Sequence, residues 1–197
     1  MFDLWWGLCE HEPNNYDFAG YIELMQQCQA LGLKVQAVMS FHACGGNVGD
    51  SVNVPLPPWV LDLEETVPEL FYRDQRGDAS REYISLSCDQ KAVFPRGAHK
   101  GTAQRTALEI YSEFMAAFRD ASKALIESGT LEEIQVGCGP CGELRYPSYP
   151  LTPREHFPAG WGWPGLGEAQ CYDKGMLEAL KGSLQVTSTL KISMEIW

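Results

Sequence analysis

The segment 34–50, KVQAVMSFHACGGNVGD, contains the clearest strand of the chain and the beginning of a long loop. Its first part, KVQAVMSFH, is rich in apolar side chains and contains neither glycine nor proline. Such a run predicts a β-strand. The polar residue His42 stands at its end, and the glycine-rich loop follows directly. The titratable side chain of His42 is therefore expected at the point where the strand passes into the loop.

The elements before this strand continue the pattern. Residues 2–6, FDLWW, form a predicted strand that Gly7 ends. A helix is predicted between the two strands, with Asp17 as its cap and Gly32 at its end. The helix is indicated by apolar residues at spacings of three and four, namely Tyr21, Leu24, Met25, Cys28 and Leu31.

The elements after this strand are separated by two long irregular segments. Residues 43–101 show no regular pattern, and helical spacing returns between Leu108 and Leu125. Thr102 is the predicted cap of that helix, and Gly129 is its predicted end. A third strand is predicted at 131–138, LEEIQVGC, and a short helix follows a second long segment, near 173–181.

Polar residues follow the predicted strands at comparable positions. Alternating strands and helices predict a parallel α/β sheet, and in a (β/α) barrel the loops after the strands form the active-site face. Asp3, His42 and Glu143 lie within or just after a strand, and Asp50 lies in the loop after His42. We therefore expect these four side chains to converge on one face.

Composition excludes several classes of partner. The chain has 197 residues, 45% of them hydrophobic, which suits one domain. The net charge of −11 argues against a nucleic-acid partner. We find neither a signal peptide nor a run of about 18 apolar residues, so we expect a soluble chain without a membrane partner. Both the cytoplasm and a plastid remain open as its location, and the seven cysteines are expected to be free thiols.

The segment 137–150, GCGPCGELRYPSYP, raises a choice between sulfur and carboxylate chemistry. A redox Cys-x-x-Cys pair needs a helix after its first cysteine, and the prolines at 147 and 150 oppose one. We therefore interpret Cys138 and Cys141 as small residues in a turn. Glu143 is the better candidate, although a simple ion pair with Arg145 is an alternative.

The surroundings of Glu143 favour a sugar site over a metal site. No closely spaced histidine pair accompanies the acidic residues, so a metal site is the weaker alternative. Aromatic rings stack on pyranose faces, and carboxylates bind sugar hydroxyls. The aromatic candidates are Trp5, Trp6, Tyr146 and Tyr149, although core packing is the alternative for at least one tryptophan.

Several motifs together resemble glycoside hydrolase family 14, the β-amylase family. These are MSFHACGGNVGD at 39–50, VPLPPWV at 54–60, GCGPCGELRYPSYP at 137–150 and GWPGLGEAQCYDK at 162–174, with FDLWWG at 2–7 and RTALEIYSEFMAAFR at 105–119 in the same order. The resemblance implies a (β/α)8 TIM barrel that needs no metal or cofactor. It also implies release of maltose from the non-reducing ends of α-1,4-glucans such as starch, with inversion.

The resemblance also implies roles for the four converging residues. Glu143 matches the general acid, Asp3 and His42 match glucose-binding positions, and Asp50 matches the substrate contact of a mobile glycine-rich loop. An inverting enzyme needs one protonated carboxyl and a second, ionised one. Burial among aromatic rings or a neighbouring carboxylate would raise the pKa of Glu143, whereas direct pairing with Arg145 would lower it, so we expect Arg145 to point elsewhere.

The resemblance fades after Lys174, and it begins at the second strand of the expected barrel. We therefore expect residues 1–181 to form an incomplete barrel of three to four βα units, and 182–197 to be a divergent tail. The base glutamate is missing from the match, so we expect little hydrolysis by this chain alone. The alternative is a non-catalytic glucan-binding or regulatory protein. Open sheet edges predict self-association, with Val38 and Val136 facing the barrel interior.

Overall fold

A computed structural model describes residues 1–45, 52–97, 104–139, 142–143 and 170–186. At its centre is a parallel sheet of three strands, in the order β1 (Phe2–Trp5), β2 (Val35–Ser40) and β7 (Leu131–Val136). All three strands fall within the predicted ranges. The parallel alternation of strands and helices is that of a TIM barrel, of which these strands form one part.

Helices connect the three parallel strands. Trp6–Cys9 form the short helix α1, and α2 spans Ala19–Ala30. The segment between β2 and β7 ends in α4 (Ala107–Ala121) and α5 (Lys123–Glu127). The last described helix, α6, spans Lys174–Val186 and extends beyond the predicted range of 173–181.

Local signals at the helix ends are confirmed in part. The N-cap of α2 is Phe18, one residue after the predicted Asp17, although Asp17 accepts a hydrogen bond from the backbone N–H of Ala19 at 2.9 Å. Gly32 adopts a φ of +69°, as a helix-ending glycine does. The cap of α4 is Thr106, which forms a capping box with Glu109. Thr102 is therefore the wrong cap.

The segment predicted to be irregular, 43–101, contains regular structure. It holds the helix α3 (Pro58–Leu61) and the antiparallel hairpin of β3 (Phe71–Arg73) and β4 (Ala79–Ile84). A second short pair joins β5 (Phe94–Pro95) to β6 (Gln104–Arg105). Two 3-10 turns, Asp62–Glu65 and Leu86–Cys88, complete the described part of the segment.

The core lies between the sheet and α4. It contains Trp6, Met39, Phe41, Phe114 and Phe118, each at most 2% exposed. The strand register corrects one expectation: Val38 pairs with Gln135, whereas Val136 pairs with Met39 on the opposite face. Val136 therefore does not share the face of Val38, and it is 50% exposed.

Candidate functional site

A hydrogen bond between Asp3 and Ser40 links the neighbouring strands β1 and β2 at the site. Asp3 of β1 pairs with Val38 of β2, and Trp5 pairs with Ser40. The Ser40 hydroxyl donates a hydrogen bond to Asp3 Oδ1 at 3.0 Å. The Asp3 carboxylate is exposed, so its remaining acceptor positions are open to a ligand.

His42 follows β2 and lies beside Trp5. The two rings meet edge to face, with centroids 5.2 Å apart. Burial lowers the pKa of His42, and the nearby Asp3 carboxylate opposes this shift only in part. The imidazole is therefore neutral at pH 7. Its Nδ1 atom is buried and has no hydrogen-bond partner among the described residues.

The chain after β7 turns back towards His42. The Gly137 N–H donates to the Met39 carbonyl at 2.9 Å, which holds the end of β7 against β2. The Cys138 N–H then donates to the Gly142 carbonyl at 3.2 Å, which closes a turn. Gly142 adopts a φ of +73°, which favours glycine, and a Cβ placed there would lie 3.5 Å from His42 Cε1. Glu143 therefore follows a residue that lies beside the His42 ring.

The structure brings Asp3, His42 and the Glu143 backbone to one end of the sheet. The Glu143 side chain is exposed, so it is not buried among aromatic rings, which was one of the two arrangements considered for it. Asp50 lies outside the described residues, as do Arg145, Tyr146 and Tyr149. Their predicted positions remain predictions.

The long segment after β2 also reaches this end of the sheet. The Ala43 N–H donates to the Glu82 carbonyl at 2.7 Å, directly after His42. Tyr83 stacks on Tyr111 of α4, with ring centroids 6.3 Å apart. We did not predict this contribution from β4, because the segment between β2 and α4 shows no periodic pattern in the sequence.

The described cysteines are free thiols in different environments. Cys138 is exposed at the end of β7, whereas Cys9 and Cys88 are buried. Burial raises the pKa of Cys9 to about 12 and that of Cys88 to about 11, so both are protonated and inert at neutral pH. Cys141 lies outside the described residues.

Neither a metal cluster nor a membrane-spanning helix occurs in the described ranges. No cluster of three or more His, Cys, Asp or Glu side chains there could hold a metal ion. Likewise, no described helix is long and apolar enough to cross a membrane.

Comparisons with known proteins show which family the chain resembles. Residues 1–195 match the family model described as glycosyl hydrolase family 14. A beta-amylase of Medicago sativa is 48% identical over 184 residues, which cover 93% of this chain and 34% of that protein. Beta-amylase 1, chloroplastic, of Oryza sativa subsp. japonica is 51% identical over 186 residues, covering 94% of this chain and 32% of that protein.

A solved structure shows the same fold. The crystal structure of the catalytic domain of beta-amylase from Paenibacillus polymyxa matches with a TM-score of 0.69 and 30% identity, over 96% of this chain and 40% of that chain. The chain spans about a third of the length of the curated relatives named above. On the family match, which covers nearly every residue, the chain belongs to glycosyl hydrolase family 14.

Proposed function

We propose that this chain carries the glucan site of a β-amylase, which releases maltose from the non-reducing ends of α-1,4-glucans with inversion. Glu143 is the proposed general acid, and Asp3, His42 and Asp50 bind the glucose units. The observation that carries the proposal is the convergence of the ends of three parallel strands. It places Asp3, His42 and the turn before Glu143 together.

The chemistry of the described residues suits a sugar. An exposed carboxylate such as Asp3 accepts hydrogen bonds from sugar hydroxyls, and a half-buried ring such as Trp5 offers an apolar face. A neutral imidazole binds a hydroxyl without adding charge. A buried nitrogen without a partner costs free energy, so His42 Nδ1 supports a binding role for this residue.

A chimaeric enzyme tests the catalytic assignment. Residues 2–181 of this chain replace the matching residues of the Medicago sativa beta-amylase, and maltose release from maltotetraose is measured. We expect Glu143→Gln to lower the rate by about 10²–10⁴, because a general acid contributes that much, while leaving glucan binding intact. The matched control is Glu178→Gln on the exposed side of α6. A Glu143→Gln chimaera as active as the control would refute the assignment.

One observation favours a second candidate, a non-catalytic glucan-binding protein. A general acid works in a site that excludes water, and the Glu143 side chain is exposed. Retention of this chain on starch beads, together with an inactive chimaera, would support this second role.

The location and the self-association of the chain are also proposals. A plastid location fits the name of the rice relative, beta-amylase 1, chloroplastic. Self-association is expected through β7, since it lies at an edge of the described sheet and Ile134 and Val136 are 40% and 50% exposed. Size-exclusion chromatography over a range of concentrations tests it, and a monomer at every concentration would contradict it.

A further inference from the structure

A buried ion pair lies behind the proposed glucan site. The side chains of Glu10 and Arg105 are both fully buried, and Arg105 Nη2 donates to Glu10 Oε1 at 3.3 Å. Glu10 also accepts hydrogen bonds from the Trp6 indole N–H at 2.6 Å and from the Asn14 backbone N–H at 2.8 Å. Because the charge of Glu10 is compensated by three donors, its carboxylate holds Trp6 and Arg105 in fixed positions.

The same pair is anchored in the long segment between β2 and α4. The Trp59 indole N–H donates to the Glu10 backbone carbonyl at 3.0 Å, and the Arg105 guanidinium lies 5.7 Å from the centroid of the Trp59 ring. Arg105 Nε donates to the Pro95 carbonyl at 3.0 Å, and Arg105 also forms an ion pair with Glu113 of α4. Residues distant in sequence thus converge on Glu10.

A chain of ring contacts leads from Glu10 to His42. The Trp6 ring meets Phe41 edge to face, with centroids 6.0 Å apart. Phe41 directly precedes His42, and Trp6 directly follows Trp5, whose ring lies against His42. Fixing the Trp6 indole therefore fixes both backbones that present Trp5 and His42 to the site.

We propose that Glu10 is a positioning residue for the glucan site: through Trp6 and Phe41 it sets the contact between Trp5 and His42. The expected effect on sugar binding rests on the proposed function. The expected effect on the position of His42 does not depend on that function. Glu10 touches no substrate. Its effect reaches the site only through the position of the two rings.

The test compares three variants by two readouts. Glu10→Met removes all three hydrogen bonds that the Glu10 side chain accepts, at similar side-chain length. Glu10→Gln keeps an acceptor for Trp6, and Leu125→Ala creates a cavity in α5 as a matched destabilising control. The first readout is the His42 titration followed by NMR. The second is the dissociation constant for maltotetraose, measured by calorimetry at pH 7.

In Glu10→Met we expect the His42 pKa to rise towards its ordinary value, because the imidazole becomes more exposed to water. Maltotetraose binding should weaken about tenfold, the size of one lost hydrogen bond. Glu10→Gln should stay near the wild type in both readouts, and Leu125→Ala should change neither. A folded Glu10→Met with an unchanged His42 titration would overturn the proposal, as would an equal shift in Leu125→Ala.

A second variant covers the case in which Glu10→Met does not fold. Trp59→Phe leaves Glu10 itself in place, removes the hydrogen bond to the Glu10 carbonyl together with part of the ring that packs on Trp6, and keeps a ring beside Arg105. We expect a smaller shift of the His42 titration in the same direction, and its absence would overturn the proposal. If the wild-type chain does not bind maltotetraose, the proposed function fails, while the His42 titration still decides the role of Glu10.

Discussion

The strands β2 and β7 are neighbours in one sheet, yet their surroundings differ. Met39 of β2 and Val136 of β7 are register partners on the same face, but Met39 is 1% exposed and Val136 is 50% exposed. The rings of Phe41 and Phe114 belong to the core on the side of β2. Local sequence therefore makes both segments strands, whereas the burial of their side chains depends on elements from elsewhere in the chain.

The difference in burial between Met39 and Val136 predicts the largest difference in unfolding free energy. Met39→Ala should lower the free energy of unfolding by about 2–5 kcal/mol, because it leaves a cavity in a packed core. Val136→Ala, on the same face and opposite Met39, should cost less than about 1 kcal/mol, because half of its surface already meets water. Urea unfolding measures both. Equal costs would show that the two strands are equally buried in solution.

Two glycines, one packed and one open, predict stability changes of opposite sign on substitution by alanine. A Cβ at Gly7 would lie 1.8 Å from the Pro55 carbonyl oxygen, so Gly7→Ala should destabilise by about 1–3 kcal/mol or more. A Cβ at Gly20 in α2 would meet no atom within 4 Å, so Gly20→Ala should stabilise by about 0.5–1 kcal/mol. Thermal unfolding of the two variants is the measurement. Opposite signs are expected, and a tolerated Gly7→Ala would mean that the Pro55 contact is not formed.

The smallest expected effect concerns the pH dependence of stability near His42. Its pKa is lower in the folded chain than its ordinary value, so the unfolded state binds more protons below about pH 6.5. This contribution is fully present above that pH and is lost as the pH falls through the folded pKa. His42→Gln should therefore flatten the loss of stability between pH 7 and pH 5. An unchanged slope would contradict the burial of His42.

The three parallel strands are predicted from the sequence, because each contains strand-forming apolar residues and lies next to a helix of clear period. The sequence also indicates that Asp3, His42 and Glu143 lie within or just after strands, which the parallel topology brings together. It did not reveal the ion pair of Glu10 and Arg105, since the partners are distant in sequence and neither position has a pattern. The capping box of Thr106 and Glu109 was present in the sequence as a signal, and it would have corrected the cap at Thr102.

Equilibrium binding of maltotetraose to the chain shows whether the ends of β1, β2 and β7 form a glucan site. Calorimetry compares the wild type with Asp3→Asn, and with Asp17→Asn, an exposed carboxylate at the start of α2 as the matched control. We predict saturable binding of one glucan, weakened at least about tenfold by Asp3→Asn, since a hydrogen bond to a charged group contributes that much, and unchanged in Asp17→Asn. Absence of saturable binding, or equal affinities in the two variants, would contradict the claim.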